Sequence, residues 1–229
     1  EILLIAKKYN LWVIEDCAQA HLAEFDGQKV GTFGRSGTFS FFPGKNLGAM
    51  GDAGGIVCET EHDYIWMKKF INHGSIQKNE HDFEGTNSRM DEFQALVLSQ
   101  KIELLEQWTK KRQDIAEQYI RLLMEIPEIS LPKPNILSKP VWHIFAIKTK
   151  NRDELKSYLT DRGINTGIHY PVALPFLKPY LQKLKNSQFL KAKKFTSETL
   201  SLPLFPEITN VEFNHVVDVI HEFFNKQRS

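Results

Sequence analysis

Apolar positions recur with two different periods along the chain, and the alternation between them outlines a mixed α/β protein. Glu1 to Asn10 reads as the last turns of an amphipathic helix entered in mid-pattern, so the chain is expected to be a fragment. Leu11-Trp12-Val13-Ile14 is a short continuous apolar run, the pattern of a parallel strand covered on both faces, and it ends in Glu15-Asp16. Ser36 to Phe42 reads as a second strand and Gly55 to Cys58 as a third, followed by helical spacing from Asp63 to Asn72. Ser88 and Asp91 form a capping-box-like start for a helix carrying Met90, Phe93, Leu96, Val97, Ile102, Leu105 and Trp108. A second helix is predicted from Thr109 to about Met124.

Pro127, Pro132, Pro134 and Pro140 then interrupt regular structure. Beyond them the pattern restarts. A strand is predicted from Val141 to Thr149, a helix from Arg152 to Arg162 closed by Gly163, and another strand from Ile164 to Tyr170. A proline-marked loop follows, with Pro171, Pro175 and Pro179. The last helix opens at Thr209 and Glu212 and carries Phe213, Val216, Val217, Ile220, Phe223 and Phe224 as its buried stripe. These elements imply a larger domain over residues 1–108 and a smaller α/β domain over 109–229.

Composition narrows the function without naming it. The chain has 229 residues, enough for one large or two modest domains, and no internal repeat. Its 29 basic and 28 acidic residues nearly cancel, so nothing calls for nucleic acid or an anionic membrane. The two cysteines, Cys17 and Cys58, have the spacing of neither a zinc site nor a redox pair, which suits a reducing cytoplasm. No apolar run is long enough to span a bilayer.

The chemistry concentrates near Lys45. This lysine sits in Ser40-Phe41-Phe42-Pro43-Gly44-Lys45-Asn46-Leu47-Gly48, downstream of Asp16 at the end of the first apolar run. Ligands of open α/β sheets bind outside the carboxyl ends of strands, which places Asp16 well. A lysine amine can join an aldehyde cofactor as a Schiff base, and a carboxylate can hold a protonated ring nitrogen, so the pair points to pyridoxal phosphate. Ser40 and the nearby glycines can serve its phosphate. The segment from Gly37 to Lys45 is not a nucleotide-binding P-loop: six residues separate Gly37 from Gly44, and Asn46 follows the lysine. His73, His81 and His143 show no ligand spacing, His62, His215 and His221 read as helix-surface residues, and no metal is expected.

Five segments, Glu15 to His21, Gly31 to Gly34, Thr38 to Gly48, Gly51 to Gly55 and Asn87 to Ala95, with a later His169-Tyr170-Pro171, resemble the DegT/DnrJ/EryC1/StrS aminotransferases. These are sugar aminotransferases of fold type I. The resemblance runs in the right order over nearly the whole chain. It implies the C-terminal portion of the large cofactor-binding domain followed by the smaller C-terminal domain. It further implies that Asp16 pairs with the pyridine nitrogen, Gln19 lies against the ring or its hydroxyl, Ser40 binds phosphate and Lys45 carries the cofactor. Asn87 would reach the phosphate of a neighbouring subunit's cofactor, making a homodimer with shared sites, and His169 and Tyr170 would line the sugar-nucleotide pocket.

Two departures stand out. Leu22 replaces the family's usual glycine after Ala-His, and the upstream phosphate-binding turn and ring-stacking aromatic of the family are not found, so a chain beginning at Glu1 is expected to bind cofactor weakly or not at all. The implied reaction is transamination of a nucleotide-linked keto-sugar with L-glutamate as donor, in polysaccharide or antibiotic sugar biosynthesis. Asn87-Ser88-Arg89 leans toward amination at C3 of a dTDP-linked 3-keto-6-deoxyhexose. The alternatives are a dehydratase of the same family, which replaces the lysine with histidine and is disfavoured by Lys45, and a non-catalytic cofactor- or sugar-binding regulator.

Overall fold

The first apolar run enters the sheet later than its composition predicts. In the computed structural model, which describes residues 1–181 and 188–228, helix α1 (Ile2–Lys8) is still being closed when the run begins. Leu11 N donates to Ala6 O at 2.8 Å and Asn10 takes a φ of +52°, so strand β1 is Ile14–Asp16 and includes the acidic pair itself.

The chain divides into two compact units, Glu1–Lys110 with Pro134–His143, and Lys111–Lys133 with Ile144–Ser229. In the first, a small hairpin of β2 (Glu24–Phe25) and β3 (Gln28–Lys29) precedes β4 (Ser36–Ser40) and β5 (Gly54–Cys58). The main sheet has the order β1-β4-β5. β1 and β4 are parallel, with Asp16 opposite Thr38, and β4 and β5 are antiparallel, with Ser40 opposite Gly54. Helix α2 (Glu61–Phe70) is capped by the Thr60 hydroxyl, which accepts from Asp63 N at 3.1 Å.

The expected helix start at Ser88 does not form. Ser88 N donates to Ile71 O at 3.0 Å, tying it to the end of α2, and helix α3 runs over Glu92–Lys101 with Asp91 as its N-cap. A 3₁₀ turn at Ile102–Leu104 leads into α4 (Leu105–Leu123), which starts before the predicted Thr109. The proline-rich segment returns to the first unit. There β6 (Ser138–Lys139) pairs with β2, and Asp26 N donates to Leu137 O at 2.8 Å.

The second unit is built on β7 (Phe145–Lys148), followed by α5 (Arg152–Thr160), the single turn α6 (Lys178–Leu181), α7 (Leu190–Glu198), β8 (Thr199–Leu202) and α8 (Asn210–Arg228). β7 and β8 are antiparallel, with Phe145 opposite Leu202. The strand expected from Ile164 to Tyr170 is reduced to one bridge, Gly167 with Ser201. α8 begins with a capping box: the Glu212 carboxylate accepts from Thr209 N at 2.8 Å, and Glu212 N donates back to Thr209 Oγ1 at 3.2 Å. Its expected stripe is buried together with Val219. Tyr119 is fully enclosed; its hydroxyl donates to Pro203 O at 2.9 Å, and burial raises its pKa.

Candidate active site

The parallel register of β1 and β4 sorts their side chains. Asp16, Thr38 and Ser40 share one face, while Glu15, Gly37 and Phe39 share the other. Asp16 and Ser40 therefore sit at the carboxyl ends of adjacent parallel strands, offset by about 7 Å along the strand direction. Asp16 is exposed, and its Oδ1 accepts from Ala18 N at 3.0 Å, turning the chain toward the exposed Gln19.

Sequence reasoning gave Glu15 no role, yet it organises this edge. Its carboxylate accepts from Gly31 N at 2.7 Å, Phe33 N at 2.7 Å and Gly34 N at 2.8 Å. It thereby secures the loop that delivers β4 beside β1. The glutamate directly before the site aspartate, followed by a Gly-Thr-Phe-Gly turn, was the available signal.

Lys45 lies in the loop between β4 and β5, half-buried. Its N–H donates to Phe42 O at 2.9 Å, while Ala49 N donates to Phe41 O at 2.7 Å and Phe41 N to Ala53 O at 2.8 Å. A side chain at Gly48 would collide with the Pro43 carbonyl, so the loop folds tightly only with glycine there. Helix α3 secures the far half: Met50 N donates to Gln94 Oε1 at 2.8 Å, and the Lys101 ammonium donates to Gly48 O. Leu47 and Ala49 bury against Leu98 and Leu105, with Leu22 packed beside them at a φ of +68°. The family-glycine position therefore does take a left-handed conformation here, and Leu22 carries that strain while contributing apolar contact.

His21 is buried against β4 and the loop that follows it. Its ring is 4% exposed, with centroids 5.6 Å from Phe39 and 5.7 Å from Phe41. Burial lowers its pKa, the adjacent Ser40 backbone opposes that shift, and the nearby Lys45 charge lowers it further. Neither ring nitrogen reaches a hydrogen bond of acceptable geometry with the described residues, Ser40 included. Burial and the Lys45 charge both favour its neutral form.

A carboxylate at one strand end, a hydroxyl at the next and an amine on a clamped loop suit a group with a cationic ring nitrogen, a phosphate and an aldehyde. The Ser40 hydroxyl accepts from Phe42 N at 3.3 Å, which leaves its proton to donate to an anion. The residues fit pyridoxal phosphate. A cavity of about 570 Å³ is lined by Thr38, Phe39, Gly54, Gly55, Tyr64 and Lys68, and Asp16, Ser40 and Lys45 are not among its lining residues. A cavity of about 780 Å³, lined by Leu3, Trp12, Arg35 and Asp63, contains none of Asp16, Ser40 or Lys45; its position carries no chemistry of this kind.

The remaining predicted residues have local partners of their own. Asn87 is exposed, bridges Asn72, and accepts from Arg89 Nε at 3.1 Å; none of these contacts involves Asp16, Ser40 or Lys45. His169 and Tyr170 belong to the second unit. There His169 Nδ1 lies 2.9 Å from Ser201 Oγ, and the Tyr170 ring meets the His169 ring edge-on at 5.5 Å. Among the described residues, no group of three or more His, Cys, Asp or Glu is placed to hold a metal, and no helix is long and apolar enough to cross a membrane.

The chain matches the profile of the DegT/DnrJ/EryC1/StrS aminotransferase family over residues 1–221. It is 38% identical over 220 residues to a dTDP-3-amino-3,4,6-trideoxy-alpha-D-glucose transaminase of Streptomyces venezuelae, covering 96% of this chain and 58% of that protein. It is 41% identical over 227 residues to a pleiotropic regulatory protein of Geobacillus stearothermophilus, covering 97% and 61%. Among solved structures, S. venezuelae DesV in complex with a ketimine intermediate superposes with a TM-score of 0.95 at 37% identity, covering 97% of this chain and 60% of that one. The chain thus spans about 60% of the length of these relatives.

Proposed function

This chain belongs to the DegT/DnrJ/EryC1/StrS aminotransferase family, and from that membership we propose that it carries the catalytic lysine of a pyridoxal-phosphate-dependent enzyme aminating a nucleotide-linked keto-sugar. The observation that carries the reading is the placement of Asp16 and Ser40 at neighbouring parallel strand ends, with Lys45 on the clamped loop that follows.

Pyridoxal phosphate, when bound, supplies an electron sink that stabilises negative charge on the substrate carbon. The Asp16 carboxylate would hold the proton on the ring nitrogen, Gln19 would serve the ring or its hydroxyl, and the Ser40 hydroxyl would donate to the phosphate. Lys45 would hold the aldehyde through its amine and, as a neutral amine, would be the base that moves a proton at the substrate carbon. L-Glutamate is the proposed donor. Its C–N bond breaks and one forms at the sugar's keto carbon, leaving a 2-oxo acid, so no external oxidant or reductant is needed.

The sugar is proposed to be a dTDP-linked 3-keto-6-deoxyhexose, a reading supported by the Asn87-Ser88-Arg89 segment and by the name of the S. venezuelae relative. The enzyme is proposed to be a cytoplasmic homodimer in which Asn87 serves the neighbouring subunit's phosphate, with His169 and Tyr170 contacting the sugar nucleotide. The name of the G. stearothermophilus relative favours a second reading, a regulator that binds without turnover. Absorbance separates the two. Glutamate should bleach the band of lysine-bound cofactor in an aminotransferase and leave it unchanged in a regulator, while Lys45→Ala should lack the band altogether.

A further inference from the structure

The Lys45 loop is also held from a segment more than ninety residues downstream. Asn46, immediately after the lysine, is 6% exposed. Its Nδ2 donates to Val141 O at 3.0 Å, and its Oδ1 faces His143 Nδ1 at 3.1 Å, across 95 and 97 residues of chain respectively. A backbone carbonyl can only accept, so Val141 determines which end of the Asn46 amide is nitrogen. The oxygen end then faces His143, whose Nδ1 must carry a hydrogen. The Nδ1–H tautomer or the imidazolium meets that demand; the neutral Nε2–H tautomer does not.

Between the two grips, Trp142 has a φ of +48°. Bulky residues avoid this left-handed conformation, and it persists where the surroundings over-determine it. The kink lets the Val141 carbonyl and the His143 ring converge on one buried amide. The far half of the loop already has its own ties, through Ala49, Met50 and Gly48. The Asn46 contacts act on the half that carries the amine.

We propose that Asn46 and His143 are positioning residues for Lys45, holding its backbone so that the amine is presented beside Ser40 and Asp16. This rests on the reading of Lys45 as the cofactor lysine. Neither residue touches the reacting atoms; both act through the peptide next to the lysine. Freeing that peptide costs alignment, and misplacement by about an ångström at a reacting group can cost on the order of a hundredfold.

The test titrates wild type, His143→Leu, His143→Asn and Asn46→Asp with pyridoxal phosphate. It follows the band of lysine-bound cofactor, maps the attachment site after borohydride reduction, and records thermal melts in parallel. His143→Leu and Asn46→Asp are expected to weaken binding roughly tenfold or more. His143→Asn keeps a donor near the Nδ1 position and should stay within about threefold of wild type. Wild-type affinity in His143→Leu overturns the proposal, as does loss in the Leu and Asn variants alike that merely tracks their melting temperatures. Histidine ¹⁵N NMR of the unaltered protein gives a check independent of folding: a protonated His143 Nδ1 supports the brace, and an Nε2–H tautomer overturns it. Wild type carrying no label on Lys45 refutes instead the cofactor reading beneath it, and the proposal with it.

Discussion

The two units hold themselves together by different means. In the second, Phe145, Ile147, Leu155, Leu159, Leu200 and Ile220 are all 0% exposed and form a closely packed core. In the first, Leu47, Ala49, Leu98 and Leu105 form a smaller buried cluster under the loop that carries Lys45. Directed polar contacts do the ordering there: the Glu15 carboxylate on three backbone N–H groups, Arg35 on Asp63, and Asn46 on Val141 and His143. Hydrogen bonds directed at backbone groups are thus prominent around the candidate site, and fully enclosed apolar side chains are prominent in the second unit.

The contrast breaks most visibly under alanine substitution. Phe145→Ala should cost about 3–5 kcal/mol through the cavity it leaves, while Ile14→Ala should stay within about 0.5 kcal/mol, as at an ordinary exposed position. Urea unfolding with amide exchange read separately in each unit measures both. Comparable costs would erase the distinction.

Glu15→Ala comes next, at about 2–3 kcal/mol, because three backbone donors lose their acceptor together. Faster exchange of the Phe33 and Gly34 amides should accompany it. An unchanged exchange rate at those amides would mean that the latch does not order the loop.

Leu22 tests strain against packing. Leu22→Ala keeps the left-handed backbone and loses the contact with Leu47 and Ala49, whereas Leu22→Gly loses the same contact but relieves the backbone. Glycine should therefore be the more stable of the two by about 1 kcal/mol. Equal stability would show that the positive φ carries no cost at this turn.

The smallest effect concerns pH. Arg35 lowers the Asp63 pKa from 3.8 to about 2, helped by the Thr60 hydroxyl. A depressed carboxylate pKa contributes stability that is present above the unfolded value and lost as pH falls through the folded one. Wild type should lose stability between about pH 4 and pH 2 more steeply than Asp63→Asn. Parallel acid titrations of the two proteins would contradict this assignment.

Element order was more legible in the sequence than element boundaries. The neighbourhood of Asp16 and Ser40 could be anticipated because each lies near the end of a short run read as a strand, and the parallel register of β1 and β4 sets them at adjacent strand ends. Glu15 and His143 were not readable as determinants, because their roles depend on partners far along the chain. β8 escaped notice: Thr199–Leu202 is short, and its pairing with β7 spans the intervening helices. The helix start at Ser88 failed because a backbone bond to the end of α2 outweighed a local capping pattern.

The most direct test of the whole account is chemical. The protein, incubated with pyridoxal phosphate and reduced with borohydride, should yield one pyridoxyl-bearing peptide, the one containing Lys45. A label on another lysine, or none at all, would contradict the assignment on which the site is built.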